Sequence, residues 1–406
     1  MDKPSTFERS AHTPVPLWRD IRVIQIVAQV IFVIVVVGFG YLLIHNLLNN
    51  LQASKLAVNY HTLERPFGTK ISEGQSALSE TDQSDFSSSD ISHIEALFQG
   101  FKNTLRVVIV GLVGATLLGL LVGIGRLTPN FLLRHLANGY IELFRNTPLL
   151  IQLYFIYRGL RLILPETVRE SVKLPGPIYI NVRAVNFPLI QGTDSVWWFY
   201  AAAGFGLVCA SALWMWRLRV QEKTGQPART LRWSLPVLLL CAAVGWLLAG
   251  KPFSIQDPVF ERFNFVGGDR LSSEYIALTI GLVLYTAAFI ADIVRAGIQA
   301  VPHGQIEAAR AQGFTGAQTL RLIVLPQALR LIIPPLGNQY LNLAKNSSLG
   351  IAIGFLDVYN VANLVQNQTS QPVVAFSVMM LIYLGLSLVI SAIMNLVNYR
   401  MRLRTR

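Results

Sequence analysis

Long apolar runs separated by short polar segments dominate the chain from residue 24 onwards. Most approach 20 residues, the length a helix needs to cross a hydrocarbon layer of about 30 Å. Eight runs can be marked: 24–44, 105–125, 148–164, 196–216, 234–250, 274–295, 328–355 and 373–397. The pattern predicts an all-α polytopic membrane protein with about eight transmembrane helices.

The composition agrees with this prediction. Hydrophobic residues make up 52% of the 406 positions and charged residues only 14%, whereas a soluble protein carries about 25% charged residues. A hydrophilic surface around a large core is therefore excluded. The first run, 24–44, is too long for a signal peptide and lacks a cleavage site, so we expect a retained span.

The charges predict an orientation. The net charge is +12, and the cations lie in short segments beside the apolar runs, not on one face as nucleic acid binding requires. The loop 217–233 holds five basic residues against Glu222 alone, and the ends 1–23 and 401–406 are also basic. By the positive-inside rule these segments, and so both termini, are cytoplasmic. The net-negative, serine-rich segment 45–100 is predicted to be a periplasmic polar connector with little core of its own.

Candidate catalytic and metal chemistry is sparse. The six histidines are scattered, and Cys209 and Cys241 lie in apolar runs, where we expect buried thiols. The stretch Gly245–Lys251 imitates a phosphate-binding loop, but Pro252 stands where a Ser or Thr must contact magnesium. We expect no metal site, no cofactor and no catalytic residue in this chain, which argues against a membrane enzyme.

A short helix is predicted just after residue 302. Pro302 can open it, Glu307 lies near its positive end, and Gly313 suits the left-handed turn that ends it. Thr315 and Gln318 then have the spacing of a capping box for a second helix. The product is a rigid helix on the cationic side, suited to docking in another protein. Physical reasoning alone leaves an ordinary loop helix as an equal alternative.

Four motifs resemble bacterial ABC importer permeases. The first, Glu307-Ala308-Ala309-x3-Gly313-x9-Ile323-x-Leu325-Pro326, resembles the coupling-loop signature of that class. The others, Glu142–Leu150, Ala291–Ile298 and Pro326–Arg330 continued by Lys345–Leu349, resemble its polar amino acid branch, although Asp292 stands where many relatives have Glu. The resemblance covers about 100–164 and 273–400, and the motifs occur in the expected order.

The resemblance implies a type I permease core in two parts, 101–164 and 273–400, with a coupling loop at 302–326. The extra span 24–44 and the insertion 165–272, with two more spans and the basic loop, resemble a permease subunit of general L-amino acid importers. The role of these extra spans stays open; packing around the core is the simplest one.

The resemblance also implies partners. They are two cytoplasmic ATPase subunits that hold ATP and Mg, a second and similar permease forming a heterodimer, and a periplasmic binding protein that delivers L-amino acids. The chain itself would be a non-catalytic transport subunit of the bacterial inner membrane. Its ATPase-coupling residues would be Glu307, Ala308, Ala309, Gly313, Leu325 and Pro326.

A candidate translocation path lies in 328–355. Asn338, Asn342 and Lys345 fall at i, i+4 and i+7 on one stripe of a helix. A lipid-facing lysine near mid-bilayer costs roughly 2.5–3.5 kcal/mol, so we expect the stripe to face the bundle interior or a wet cavity, with a broken helix at Pro334 and Pro335. The path would comprise Asn338, Asn342, Lys345, Ser347 and Ser348. Alternatively, Lys345 snorkels to the outer surface or holds a structural carboxylate.

Two acid–base pairs, Glu142 with Arg145 and Asp292 with Arg295, have the i,i+3 spacing of one helix face. They either neutralise charge near the inner membrane surface or form a gate between two permease subunits. A competing functional class is a secondary transporter driven by an ion gradient. It would need acidic relays within the spans, where Asp292 is the only clear carboxylate candidate.

Overall fold

The computed structural model describes residues 21–53, 58–69, 71, 91–227, 229–261 and 264–401. The chain divides into two compact units, 1–60 and 61–406. In the first unit, helix α1 (Ile21–Ala53) contains the predicted run 24–44, and its apolar side chains are exposed. The predicted basic segments at 1–20 and 402–406, and residues 72–90 of the predicted connector, lie outside the described residues.

The second unit consists mainly of helices. Its first half holds α2 (His93–Leu127), α3 (Phe131–Asn146), α4 (Leu149–Ile163), α5 (Val196–Thr224), α6 (Thr230–Ala249) and α7 (Ser273–Gln299). Its second half holds α8 (His303–Ala311), α9 (Gly316–Thr319), a π-turn (Leu320–Val324), α10 (Leu325–Asn346), a 3-10 segment (Ser347–Ile353), α11 (Val358–Thr369) and α12 (Pro372–Met401).

Within the described residues, 7 helical segments are long and apolar enough to cross a membrane. They include every predicted run except 148–164, which forms α4 with only 15 residues. A helix of that length rises about 22 Å, short of a hydrocarbon layer of about 30 Å. The multi-pass helical fold is confirmed, and the count of eight spans is approximate.

The predicted helix break at Pro334 and Pro335 is wrong, because α10 continues through both prolines. Each proline removes one hydrogen bond but need not end a helix whose two halves are held by neighbours. Ile332 and Leu336, on either side of the prolines, are buried in the core. The α-helix ends instead at Ser347, where the 3-10 segment begins.

The core is built on close packing between α2 and α7. A Cβ at Gly119 would lie 2.6 Å from Cγ2 of Ile290, and one at Gly123 would lie 2.9 Å from the carbonyl oxygen of Ala291. The two helices can approach this closely because both positions lack a side chain. Gly119-x3-Gly123 is therefore a helix-packing motif, and α3, α4 and α10 pack around the pair.

Helices α5 and α6 form a hairpin and also approach each other closely at glycines. A Cβ at Gly206 would lie 2.6 Å from the Cβ of Cys241, and one at Gly245 would lie 2.6 Å from the Cβ of Ala202. Cys209 and Cys241 are free thiols. Both are half-buried, not buried as predicted, because the outer face of the hairpin is exposed.

Eight short strands on either side of the hairpin were not predicted. They are β1 (Val172–Leu174), β2 (Ile178–Ile180), β3 (Ala184–Phe187), β4 (Leu189–Gly192), β5 (Phe253–Gln256), β6 (Val259–Glu261), β7 (Asn264–Val266) and β8 (Asp269–Ser272). The order β1-β2-β3-β8 forms one antiparallel sheet, and β4–β5 and β6–β7 form two-stranded pairs. The insertion is thus a small sheet carrying a helical hairpin, and β8 leads directly into α7.

A second apolar cluster anchors the described part of segment 45–100 to α11. Phe67 and Ile71 are fully buried, together with Leu97 at the start of α2. They pack with Val361 and Val365 of α11. The described part of the segment is therefore anchored by large apolar side chains that its polar composition obscured.

Candidate functional site

The chain path assigns the functional segments to two ends of the second unit. Strand β8 leads into α7 and α8 follows it, so the sheet and α8 lie at opposite ends of a helix of 27 residues. The α5–α6 turn likewise lies at the end of the hairpin away from β4 and β5. Nε of Arg330 donates to the carbonyl oxygen of Met401 at 2.9 Å. The C-terminal end of α12 therefore lies beside the start of α10, at the α8 end, which we call the coupling end.

Helix α8 presents one face to the core and one to the surroundings. Ala309 is buried and Ile306 packs against the core cluster. Glu307 and Ala308 are exposed. Because the helix is only 9 residues long and is fixed along one side, its outer face is a small, rigid surface.

Both predicted boundaries of this loop are confirmed. Gly313 has a φ of +80° and follows the last helical turn, and the next amide, of Phe314, donates to the carbonyl of Ala309 at 3.1 Å. Only glycine adopts this left-handed conformation without a steric penalty. Thr315 and Gln318 form a reciprocal capping box, with donor–acceptor distances of 2.8 and 3.3 Å.

The remaining predicted coupling residues lie at the start of α10. Leu325 is exposed and Pro326 is half-buried, directly after the π-turn. The π-turn and α9 connect them to α8, so the six predicted coupling residues occupy one continuous segment at the coupling end.

The polar stripe of α10 is present but is not covered by this chain. Asn338, Asn342 and Lys345 are all exposed, whereas Leu336 and Leu343 on the opposite face are buried. The stripe therefore does not face the interior of this bundle, and the alternative expectation, that it faces a wet cavity, stays a prediction. Among the described residues Lys345 has no ion pair, so no structural carboxylate of that part of the chain holds it. The stripe is an open polar face on a span.

The two predicted path serines do not extend this face. Ser347 is fully buried, and its hydroxyl donates to the carbonyl of Ala344 at 2.8 Å. The Ser348 hydroxyl donates to the carbonyl of Lys345, also at 2.8 Å. Both hydroxyls therefore satisfy the end of α10 itself, and the buried Ser347 departs from its predicted place on the path.

The two predicted acid–base pairs within helices are replaced by ion pairs between helices. Asp292 of α7 forms ion pairs with Arg145 of α3 and with Arg126 of α2. Among the described residues neither Glu142 nor Arg295 forms an ion pair. Spacing at i,i+3 permits a pair, but two arginines reach Asp292 from neighbouring helices. The result ties three helices together through one carboxylate, and Arg126, at the end of α2, was the member that sequence reasoning missed.

A buried carboxylate was also missed. Asp357 is fully buried at the start of α11, where its oxygens accept from the Asn360 amide at 2.8 Å and from the Tyr383 hydroxyl at 3.2 Å. Burial raises the pKa of Asp357 to about 6. The adjoining chain is held by α2, where Thr104 accepts from the amide of Val358 at 3.1 Å. The one sequence signal was an acidic residue directly before a helical pattern.

Comparison with known proteins decides the family. A family model described as a binding-protein-dependent transport system inner membrane component matches residues 115–403. This chain belongs to that family. The match includes the motifs around Glu142, Asp292, Glu307 and Lys345, so the importer-permease family predicted from them is confirmed. The permease is accordingly a multi-pass transport subunit.

Known relatives align with nearly the whole permease. The general L-amino acid transport system permease protein AapQ of Rhizobium johnstonii is 39% identical over 383 residues, covering 93% of this chain and 92% of that protein. The putative amino-acid ABC transporter permease protein YhdX of Escherichia coli is 38% identical, covering 93% and 94%. The glutamate/glutamine/aspartate/asparagine transport system permease protein BztB of Rhodobacter capsulatus is 35% identical, covering 95% and 96%. Because only about 7% of this chain is left out of the first two alignments, most of the insertion 165–272 falls within the aligned length.

Within the described residues of the permease, no group of three or more His, Cys, Asp or Glu side chains lies close enough to hold a metal ion.

Proposed function

We propose that this permease is a membrane-spanning subunit of an ATP-driven importer of L-amino acids in the bacterial inner membrane. The observation that carries the proposal is the open polar face of α10, defined by Asn338, Asn342 and Lys345. The names of the relatives AapQ and BztB, which refer to amino acid transport, support the substrate class.

The open face calls for a second permease subunit. Exposing a lysine to lipid within the hydrocarbon layer is costly, and the described part of the chain supplies no carboxylate to offset it. A similar permease placed against α10, giving a heterodimer, would enclose the stripe in a wet path between the subunits. Lys345 would then attract the substrate carboxylate, with Asn338 and Asn342 donating and accepting hydrogen bonds along the path.

The outer face of α8 is the proposed docking surface for an ATPase partner. Glu307 and Ala308 lie on this face, and Gly313 fixes its end. Two ATPase subunits holding ATP and Mg would grip one such helix on each permease and convert their closure into alternating access. The chain itself carries no nucleotide site and acts as a non-catalytic subunit.

The proposed orientation places the coupling end in the cytoplasm. The basic α5–α6 turn lies, like α8, at the end away from the sheet, which agrees with the positive-inside rule. The end of α12 is then also cytoplasmic. The sheet would face the periplasm, where a binding protein delivers substrate.

The junction of Arg126, Arg145 and Asp292 is proposed to fix the coupling ends of α2, α3 and α7 to one another. Asp292 lies in the C-terminal part of α7, the helix that leads to α8, so the junction would carry movement of α8 to several spans at once. A gate between permease subunits is the alternative, and only that role predicts nucleotide-dependent crosslinking of a cysteine at position 145 to the partner permease.

The test is transport by the reconstituted complex that copurifies with the full chain. We expect uptake of L-amino acids to stop when ATP is withdrawn and to persist with an uncoupler, whereas an ion-gradient-driven transporter would show the reverse. Lys345→Met should abolish uptake while Lys345→Arg, which keeps the charge, retains it. Normal uptake by Lys345→Met would remove the lysine from the path.

The coupling helix has its own matched variants. Gly313→Val places a β-branched residue where φ is positive, at a cost of about 1–2 kcal/mol, whereas Gly313→Asn keeps a residue that tolerates this conformation. We expect Gly313→Val and Glu307→Lys to assemble and lose substrate-stimulated ATP hydrolysis, and Gly313→Asn to retain it. Full substrate stimulation of ATP hydrolysis in both Gly313→Val and Glu307→Lys would exclude α8 from coupling.

A further inference from the structure

Two adjoining cavities lie where the inserted sheet meets the start of α7. The smaller, of about 190 Å³, is bounded by strands β3 and β8 and includes Arg183, Asn186 and Glu274 in its wall. The larger, of about 460 Å³, includes Tyr157, Arg161, Arg183 and Glu274. Because Arg183 and Glu274 line both, the cavities form one polar space at the end of the molecule opposite the coupling end.

This space holds opposite charges that are kept apart. Its wall carries Arg161, Arg183 and Arg270 as cations and Glu166 and Glu274 as anions. Among the described residues no ion pair joins Arg183 to Glu274 or to any other acid. One oxygen of Glu274 accepts from the Tyr157 hydroxyl at 2.7 Å, and that hydroxyl oxygen accepts from Arg161 at 3.2 Å. Tyr157 therefore positions the carboxylate without neutralising it.

Backbone hydrogen bonds hold Arg183 beside the start of α7, which carries Glu274. The amide of Arg183 donates to Oδ1 of the buried Asn181 at 2.9 Å. The carbonyl of Arg183 accepts from the amide of Ser273, the residue next to Glu274, at 3.1 Å. Arg183 is thus tied to the start of α7, and a cation and an anion face the same space from a preformed frame.

A nearly buried amide, that of Asn186, lines the smaller cavity. The Asn186 side chain, in a residue with only 7% of its surface exposed, has no hydrogen bond to any part of the chain that the structure describes. It stands opposite Arg270 in the register of β3 and β8. Its amide is open to the cavity and can donate to and accept from a polar group there.

We propose that this space binds an α-amino acid by its zwitterionic head group. Arg183 binds the carboxylate through a charge-assisted hydrogen bond, Glu274 binds the ammonium group, and the Asn186 amide contacts a polar side chain. The site is separate from the face of α10 and lies at the same end as Lys345, so it would hold substrate before it enters the path. The ligand class rests on the proposed function; the charge arrangement is independent of it.

The test is equilibrium binding of radiolabelled L-glutamine to the nanodisc-embedded complex that copurifies with the full chain, without nucleotide. All variants carry Lys345→Met, which removes the contribution of the path. We expect Arg183→Gln and Glu274→Gln each to raise the Kd at least about tenfold. Arg169→Gln, an exposed arginine that lines neither cavity, is the matched control and should leave the Kd unchanged.

Two analogues separate the halves of the head group. Glutaramate lacks the ammonium group and 4-aminobutanamide lacks the carboxylate, and both should bind at least about tenfold more weakly than glutamine. Equal binding of glutaramate would overturn the zwitterion assignment in favour of an anion site. Equal glutamine affinity in Arg183→Gln, Glu274→Gln and Arg169→Gln would overturn the site itself.

The alternative occupant of this cavity is a docking loop of the delivering protein. It would show as loss of binding-protein capture by Arg183→Gln with an unchanged Kd for glutamine, and that result would also overturn the proposal. Because the assay contains no ATP, failure of the ATP-driven mechanism would leave the binding result standing, and failure of the site would leave the coupling test unaffected.

Discussion

The core pair α2–α7 and the hairpin α5–α6 are built with the same close contacts but have opposite surroundings. In α7, 56% of the residues in its most apolar 18-residue stretch are buried. The corresponding fractions are 17% in α5 and 11% in α6. Helix α7 packs on α2, α3, α4 and α10, whereas α5 and α6 pack chiefly on each other. Contacts at glycines therefore bring two helices together. A pair is joined to the rest of the molecule only when other helices also pack against it.

The largest expected effect comes from overpacking the core pair. Gly119→Val would place its Cβ 2.6 Å from Ile290 and 3.0 Å from the carbonyl oxygen of Ala287. Because α7 is held on its other sides, it cannot move away, and we expect a loss of about 3 kcal/mol or more in stability. The measurement is thermal unfolding of the detergent-solubilised chain.

The hairpin supplies the matched comparison. Gly206→Val makes an equally short contact with Cys241, but α5 and α6 can separate, so we expect a smaller loss. Gly385→Val, with no atom within 4 Å of its added Cβ, controls for the substitution itself. Equal destabilisation by Gly119→Val and Gly206→Val would contradict the expectation that the hairpin tolerates overpacking better than the core pair.

A charge change at the core junction is expected to have the next largest effect. Asp292→Asn leaves Arg126 and Arg145 without the carboxylate they share, and we expect a loss of about 2–3 kcal/mol. Arg145→Gln should cost more stability than Arg295→Gln, because the described structure pairs only the former with Asp292. Melting temperatures of the purified variants test this, with the exposed Asp194→Asn beside the hairpin as control. A larger effect of Arg295→Gln would contradict the inter-helix pairing.

Sequence reasoning succeeded where the determining residues are near one another in the chain. Gly313 and the Thr315–Gln318 capping box were predictable because each depends on its own turn. Gly119-x3-Gly123 was predictable as a packing surface, but not its partner Ile290. The Arg145–Asp292 pair depends on how α3 meets α7, which spacing within one helix does not determine.

Other features were missed for different reasons. The strands β1 and β2 had a local signal, since Pro175-Gly176 separates two β-branched and aromatic segments, but the long apolar runs dominated the interpretation. The uncovered stripe at Asn338 was not predictable, because its exposure depends on how α10 packs against the other helices of the chain.

The pH dependence of stability provides a further test in the core, at the buried Asp357. The pKa of Asp357 is about 6 in the folded protein, above the value of about 3.9 in an unfolded chain. The folded state therefore binds more protons between about pH 4 and 6. The stabilisation from this group is complete below about pH 4 and is lost as the pH rises through 6.

Asp357→Asn should remove this dependence. Asparagine keeps the N-cap of α11 and carries no charge, so we expect a gain of about 1–2 kcal/mol at pH 7.5, reduced by the weaker hydrogen bonds of an amide. Unfolding of wild type and variant from pH 4.5 to 7.5 measures it, with the exposed Asp257→Asn as control. An unchanged pH slope in Asp357→Asn would contradict the assignment.

The smallest effect is expected from removing the hairpin altogether. Strands β4 and β5 pair Gly192 with Phe253, and the Thr193 amide donates to the carbonyl of Pro252 at 3.0 Å. The two ends of 194–250 therefore lie side by side. An Asn-Gly turn joining Thr193 to Pro252 would keep this register and convert the strands into an ordinary β-hairpin, because this dipeptide favours the turn that such strands need.

We expect the shortened permease to assemble, to unfold within about 1 kcal/mol of wild type, and to keep substrate-stimulated ATP hydrolysis within about twofold. The reason is that α5 and α6 bury their contacts mainly against each other, so excision removes both partners together. Stimulated hydrolysis and copurification of the partners are the measurements, and replacement of 194–250 by a longer flexible linker controls for strain in the turn. If both versions fold but lose a partner, the exposed face of the hairpin is an assembly surface, and its low burial within this chain reflects a missing neighbour instead of independence from the core.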